Sequence, residues 1–494
     1  MKHVLAIDAG TTGITALVID EKGRVAGRAY RELKQYFPRA GWVEHDPLEI
    51  FSSTVAAARD AVDAAGHVPD AIGITNQRET IVIWERTGRP VHHAIVWQDR
   101  RTADRCAQLA PRAELIAQRT GLLPDPYFSA TKIEWLLEHY RLRETYDPRE
   151  LAVGTIDSWL VWRLTGGALH ATDPTNASRT MLYDIDRLAW SEELCALFGV
   201  PVEMLPEVRA SSGSFGSTRA DVIGFEAPIT GIAGDQQSAL FGQGCYARGT
   251  GKNTYGTGAF LLLNAGEERP TGGPGLLTTI ACDAQGGVAY ALEAAIFIAG
   301  AAVQWLRDGL GIVEHASDTE PLARSIPSTE GVYFVPALTG LGAPNWEPQA
   351  RGTIVGLTRG TTRAHLARAA LEAMAYGTAD VLASMRRASG APFERLRVDG
   401  GATTNDWLMQ FQADMLGVPV ERPDMVETTA LGAAGLAGLG AGVWRDADEF
   451  LATREFATFT PLLEPARADE LMAGWHRAVR ATLSWARDTG TDGA

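Results

Sequence analysis

A chain of 494 residues exceeds what one hydrophobic core usually supports, so two or more domains are expected. With 46% hydrophobic and 21% charged residues it has the make-up of an ordinary globular protein, and a net charge of −15 argues against a nucleic-acid or anionic-membrane surface, though not against a local phosphate site. Cys106, Cys195, Cys245 and Cys282 lack CxxC spacing, so they read as reduced core thiols rather than a zinc ribbon or disulfide framework.

The apolar stretch before Asp8 is too short for a signal peptide. The apolar run 288–306 carries Glu293 and Gln304 and reads as buried strand and helix rather than a membrane span. A cytoplasmic protein with no integral membrane segment is expected.

Residues 4–7 form a short apolar strand, Asp8-Ala9-Gly10-Thr11-Thr12-Gly13 turns it, and residues 14–19 return as a second strand. A hairpin here excludes a P-loop or Rossmann turn, which need a helix directly after the glycines. Its Gly-Thr-Thr tip offers N–H groups and hydroxyls to phosphate oxygens. Asp46, Pro47 and Glu49 predict a capped helix start with a capping box. Leu48, Phe51, Val55, Ala58 and Val62 then follow on its inner face, and Gly66 stops it. Strands at 71–75 and 80–85 flank Asn76-Gln77-Arg78-Glu79, a strand is expected at 94–97, and a helix at 129–140. Asp157 is expected to cap a helix over 158–164.

Residues 229–233 read as a buried strand broken by Gly234, with a helix starting at Gln236. Asp235 therefore falls on a strand-to-helix turn, where α/β proteins hold groups that meet a ligand. Such a carboxylate is an N-cap, a general base or a metal partner, and the local pattern leaves these open. A Gly/Thr turn over 253–258 and a strand over 259–263 echo the first hairpin and suggest a duplicated fold. Helices are expected at 299–308, 363–388, 404–416, 429–439 and near 470–485, with a strand at 396–399 running into Gly400-Gly401. The 429–439 helix is nearly all Ala, Gly and Leu, suited to close approach of another backbone. The expected division is 1–248 and 249–494.

Asp8-x-Gly10-Thr11-Thr12, Asn76-Gln77-Arg78-Glu79-Thr80, Thr175-Asn176-Ala177-Ser178-Arg179-Thr180-Met181, Gly234-Asp235-Gln236-Gln237 and Asn253 to Gly258 occur in that order. Tyr127 to His139 and Gly352 to Glu372 match two family signatures. Together they resemble the FGGY family of carbohydrate kinases, over Val4 to about Trp444. The resemblance implies an α/β fold of two ribonuclease-H-like domains, of the actin and hexokinase superfamily, closing on a catalytic cleft. It implies glycerol and the phosphate hairpin in the first domain and nucleotide in the second. The implied reaction is Mg2+- and ATP-dependent phosphorylation of a terminal hydroxyl of glycerol, by a homo-oligomer (dimer or tetramer).

The residue chemistry fits that reading. Arg78 can donate to one hydroxyl oxygen while Glu79 accepts from hydroxyl protons, which a diol can bridge. The resemblance adds Tyr127 and Gln236 to the polyol site, with Trp97 and Phe260 as apolar walls. It makes Asp235 the catalytic base and, with Asp8, a Mg2+ partner. It assigns Thr11, Thr12, Gly13 and Thr257 to the phosphates, and Gly300, Gln304, Gly401 and Asn405 to the nucleotide. Kinases of other polyols or ketoses, such as erythritol or xylulose, and a catalytically weak sugar or nucleotide sensor are the competing readings.

Two departures stand out. Ala9, Gly13, Ile14 and Thr15 replace family residues, and Thr15 takes the place of an arginine expected near the transferred phosphate. The segment 217–226 carries Asp221 and Glu226 where family members inhibited by fructose 1,6-bisphosphate bind an anion, so no such regulation is expected.

Overall fold

The computed structural model describes residues 1–488. Two sheets with the same strand plan organise it. In the first, the hairpin His3–Ala9 and Gly13–Asp20 is extended by antiparallel Val25–Glu32 on one side, and by parallel Ala71–Asn76 and Ile229–Gly234 on the other. In the second, the hairpin Gly251–Tyr255 and Ala259–Gly266 is extended by antiparallel Val288–Ile296, and by parallel Leu396–Asp399 and Val420–Pro423. The second sheet adds one antiparallel edge strand at each end, Leu277–Cys282 and Phe456–Phe459. The duplication suggested by the two Gly/Thr turns is thus a duplication of whole five-strand topologies. A further four-stranded sheet, containing Ile81–Glu85 and Leu151–Thr155, is inserted in the first half.

The parallel strands are buried along their length, as sheets covered on both faces require. Helix Pro47–Ala65 covers one face of the first sheet. Helix Thr428–Gly440 covers the other, although it follows the second sheet's strand in sequence. A Cβ on Gly73 would lie 2.1 Å from the Ala433 carbonyl oxygen, and one on Gly432 would lie 1.7 Å from that of Ser238. The small-residue composition therefore serves backbone-to-backbone contact, as its sequence suggests.

Several local expectations are corrected. Asp46 does cap the first helix, through Leu48 N, but Glu49 turns away to accept from Lys34 N and the Tyr36 hydroxyl, so no capping box forms. The inner face holds Ile50, Thr54, Ala57 and Ala61 beside the expected Ala58 and Val62, the expected Phe51 and Val55 pack half-buried against the same core, and only Leu48 of the expected set is exposed. Strand Val25–Glu32 comes so close that a Cβ on Gly27 would lie 2.1 Å from the Ala61 carbonyl, which selects the small-residue face. Thr155, not Asp157, is the cap residue of helix Ile156–Leu164; Asp157 is buried and accepts from the Thr155 and Thr172 hydroxyls. Asn253, Thr254 and Tyr255 belong to a strand, leaving Gly256 to Gly258 as the turn. The strand expected at 94–97 is only Ala94–Ile95, and the helix expected from Thr404 begins at Asp406.

All four cysteines are free and buried. Among the described residues no helix is long and apolar enough to cross a membrane.

Candidate active site

Strand Ile229–Gly234 ends where helix Asp235–Gly242 begins, so Asp235 is the first residue of the helix and Gly234 its cap position. Oδ1 of Asp235 accepts from Gln236 N at 2.7 Å, and the side chain keeps 31% exposure into the space between the two sheets. Burial raises its pKa, partly offset by Arg78, so it is a stronger base than a solvated aspartate.

Arg78 and Glu79 lie beyond the end of strand Ala71–Asn76, beside Asp235. They are 2% and 1% exposed, which excludes a surface ion pair in a turn. Glu79 has φ 61°, a left-handed conformation costing roughly 1–2 kcal/mol for a residue with a Cβ. Ser129 Oγ holds that turn by donating to the Glu79 carbonyl at 2.9 Å.

The guanidinium of Arg78 is largely spent. Nη1 donates to Glu293 Oε2 at 2.6 Å and Gln237 Oε1 at 3.2 Å. Nη2 donates to Glu293 Oε1 at 3.1 Å and the Tyr127 hydroxyl at 3.2 Å. Nε makes no hydrogen bond among the described residues and sits 3.3 Å from Asp235 Oδ1 and 3.7 Å from Glu79 Oε1. The expectation that Arg78 reaches a hydroxyl thus narrows to one N–H. Glu79 Oε1 accepts from Arg179 Nε at 2.6 Å, while Oε2 accepts nothing among the described residues. One donor and two carboxylates therefore face the same spot.

The walls are ordered around it. Trp97 and Tyr127 meet edge to face, 5.6 Å between centroids. Trp97 Nε1 donates to Thr11 Oγ1 at 2.9 Å, tying this wall to the first hairpin. Buried Lys132 donates to the carbonyls of Val96 and Tyr127 at 2.8 and 3.3 Å and so anchors both aromatics from behind. Phe260 lies opposite Thr254 in its sheet, on the face that also carries Lys252 and Glu293 toward the first half. Gln236 Oε1 accepts from Lys252 Nζ, and Lys252 reaches it from the second hairpin.

At the first hairpin tip, Thr12 is exposed and Thr11 half-buried, and the N–H groups of both donate to nothing among the described residues. Successive unpaired N–H groups are what an anion-binding nest requires. Gly13 has a packing role, because the Tyr30 ring occupies the place of its Cβ. Asp8 faces Asp235 closely enough that burial and the second carboxylate push it up to about 7. A divalent cation between them would relieve both effects. Among the described residues no group of three or more His, Cys, Asp and Glu forms a metal cage. Mg2+ held by one or two carboxylates plus phosphate oxygens and water needs none. Thr15 stands opposite Asp8 in the hairpin register, half-buried.

Thr257, Gly300, Gln304, Gly401 and Asn405 line one cavity of about 480 Å³ in the second half, with Val303, Leu371 and Met374 as an apolar wall. A Cβ on Gly401 would meet nothing within 4 Å, so bare backbone faces open cavity. Gly300 differs: its Cβ would lie 2.6 Å from the Gly256 carbonyl, so hairpin contact accounts for that glycine. Asn405 also caps helix Asp406–Leu416, accepting from Leu408 N at 2.9 Å.

Sequence reasoning missed Glu293, and named Arg179, Lys132 and Gln237 only inside motifs without a role. The signal for Glu293 was a lone carboxylate in an apolar strand. In the 217–226 segment it overlooked Arg219, whose guanidinium is taken bidentately by Asp221 at 2.8 and 2.6 Å.

Residues 3–242 match the FGGY family of carbohydrate kinases, N-terminal domain, and residues 251–441 its C-terminal domain. The glycerol kinase of Polaromonas naphthalenivorans is 54% identical, covering 98% of this chain and 100% of its own. That of Halorhodospira halophila is 53% identical over 99% and 98%. The structure of Plasmodium falciparum glycerol kinase with ADP superposes with a TM-score of 0.93 at 35% identity, covering 98% of both chains. A xylulose kinase from Lactobacillus acidophilus shares the fold, with a TM-score of 0.89 at 20% identity over 100% of both chains. The chain belongs to the FGGY family of carbohydrate kinases, with both family domains present.

Proposed function

We infer that this chain transfers the γ-phosphoryl group of ATP to a terminal hydroxyl of glycerol, giving sn-glycerol 3-phosphate. The observation that carries the reading is the convergence of Arg78 Nε, Glu79 and Asp235 on one spot between aromatic walls. Relatives named glycerol kinase at 52–54% identity over nearly the whole chain support the substrate.

Arg78 and Glu79 bind the two hydroxyls that do not react. Asp235 orients the third and takes its proton as the oxygen–phosphorus bond forms, while the bond from γ-phosphorus to the bridging oxygen breaks and ADP leaves. A loose transition state asks little of the base until late, so a buried aspartate suffices. The Thr11 and Thr12 N–H groups and Thr257 receive phosphate oxygens, and the cavity bounded by Gly300, Gln304, Gly401 and Asn405 takes the nucleoside. Asp8 and Asp235 would hold Mg2+, which supplies charge neutralisation on the phosphates. The reading includes a cytoplasmic homo-oligomer divided near residues 248–249. It also has no response to fructose 1,6-bisphosphate, since Asp221 already occupies Arg219.

An ADP-release assay over glycerol, erythritol and xylulose tests it, with Glu79→Ala beside the wild type. A charged hydrogen bond is worth roughly 1.5–3 kcal/mol, so kcat/KM for glycerol should fall about tenfold to a hundredfold. A wild type that prefers a longer polyol, or equal losses across all three, would sink the glycerol assignment.

A further inference from the structure

Glu293 projects from strand Val288–Ile296 of the second sheet, in a transverse row with Leu262 and Lys252. It is 3% exposed and spends both oxygens across the cleft, on Arg78 as above and on Arg179 Nη2 at 2.8 Å. Burial alone would push its carboxyl up; Arg179 and Arg78 outweigh that and hold it at about 2. Arg179, fully buried, has Glu79 and Glu293 as its ion partners and leaves Nη1 unpartnered among the described residues.

We propose that Glu293 is a positioning residue of the polyol site, reaching from the second domain to hold the guanidinium of Arg78 edge-on to Asp235 and Glu79. A guanidinium prefers to grip a carboxylate with two parallel N–H groups. Glu293 satisfies that preference with the two terminal nitrogens, leaving only Nε for the substrate side. Without it the nearest carboxylates are Asp235 and Glu79. Arg78 would turn its fork onto one of them and take the lone pairs that a hydroxyl proton needs. The polyol site is therefore complete only when the second domain presents its sheet, which links substrate binding to the nucleotide half.

The inference rests on the kinase reading only for its assay. Glu293→Gln keeps the volume and removes the charge. Steady-state kinetics with glycerol and ATP, and calorimetric binding of ADP, are measured beside the wild type. The expected result is a drop in kcat/KM for glycerol on the order of tenfold to a hundredfold, with ADP affinity unchanged. Wild-type kcat and glycerol KM in this variant, whatever its melting temperature, would overturn the proposal, because a merely structural role moves stability alone. Should the variant fail to bind ADP, Glu293→Asp decides. It keeps the charge but retracts it by one methylene, and retention of wild-type glycerol kinetics overturns the proposal equally. A wild type inactive on glycerol fails the activity reading instead, and the same comparison then runs on whichever polyol or ketose it phosphorylates.

Discussion

Arg78 turns one nitrogen toward Asp235: Nε lies 3.3 Å from Oδ1, while both terminal nitrogens are bound elsewhere. The pair joins a residue just past one parallel strand to the first residue of the helix after the next strand in the sheet. Two neighbouring strand ends thus bring a cation and a base together, which is where open α/β sheets place ligand chemistry. Burial raises the pKa of the aspartate, and the guanidinium offsets part of that rise.

Asp235→Asn preserves the shape of that contact and removes the proton acceptor. Loss of a general base costs about 10²–10⁴-fold in rate. Turnover should fall in that range while glycerol KM changes much less. Wild-type turnover in single-turnover kinetics would remove Asp235 from the base role.

The hairpins, the parallel strands and the Asp235 turn are legible in the sequence because Gly and Thr punctuate short apolar runs. The electrostatic support is not. Glu293 meets Arg78 across 215 positions and Arg179 meets Glu79 across 100, distances at which no local pattern operates. Part of the inner face of helix Pro47–Ala65, notably Thr54, Ala57 and Ala61, escapes for a related reason: periodicity marks apolar residues, whereas the close strand at Gly27 selects small ones.

Gly401 separates nucleotide binding from folding. Its Cβ would enter open cavity, so Gly401→Val starts its side chain in open space rather than against neighbouring protein. The melting temperature should hold and the KM for glycerol should stay unchanged. The KM for ATP should rise, on the order of tenfold, as expected for about 1.4 kcal/mol of lost contact. An unchanged ATP KM would place the nucleotide elsewhere.

Asp157 predicts a pH dependence of stability. Burial, and then the charge of Asp173, push its carboxyl up to about 7, while the Thr155 and Thr172 hydroxyls donate to it at 2.5 and 2.6 Å. A carboxyl raised in the folded state holds its proton more tightly there. Its contribution is full below the ordinary carboxylate range and is lost as pH rises through about 7. Asp157→Asn stays neutral throughout. Its melting temperature relative to wild type should therefore climb between about pH 4 and 8. A difference flat with pH would mean that Asp157 is ionised at no cost in the fold.

Lys252 is a buried amine with neutral hydrogen-bond partners. It is fully buried, donates to Gln236 Oε1 and to Thr254 Oγ1 at 2.7 Å, and makes no ion pair among the described residues. Burial lowers its pKa, with Asp399 and Asp235 pulling the other way from a distance. Burying a charge without a paired counterion costs free energy that packing alone does not return. A use in the cleft is therefore expected: Lys252 fixes Gln236 beside Asp235, and its charged form would add a positive field there. Lys252→Met keeps the length and removes the charge. The melting temperature without ligand should hold or rise, because an apolar chain suits that position. Turnover should fall about tenfold to a hundredfold, the worth of a charged hydrogen bond of roughly 1.5–3 kcal/mol. Lys252→Arg, which restores charge with a wider head, should recover part of it. A methionine variant that is less stable yet turns over glycerol at the wild-type rate would make Lys252 a packing residue and return the phosphate charge to the hairpin N–H groups and Mg2+ alone.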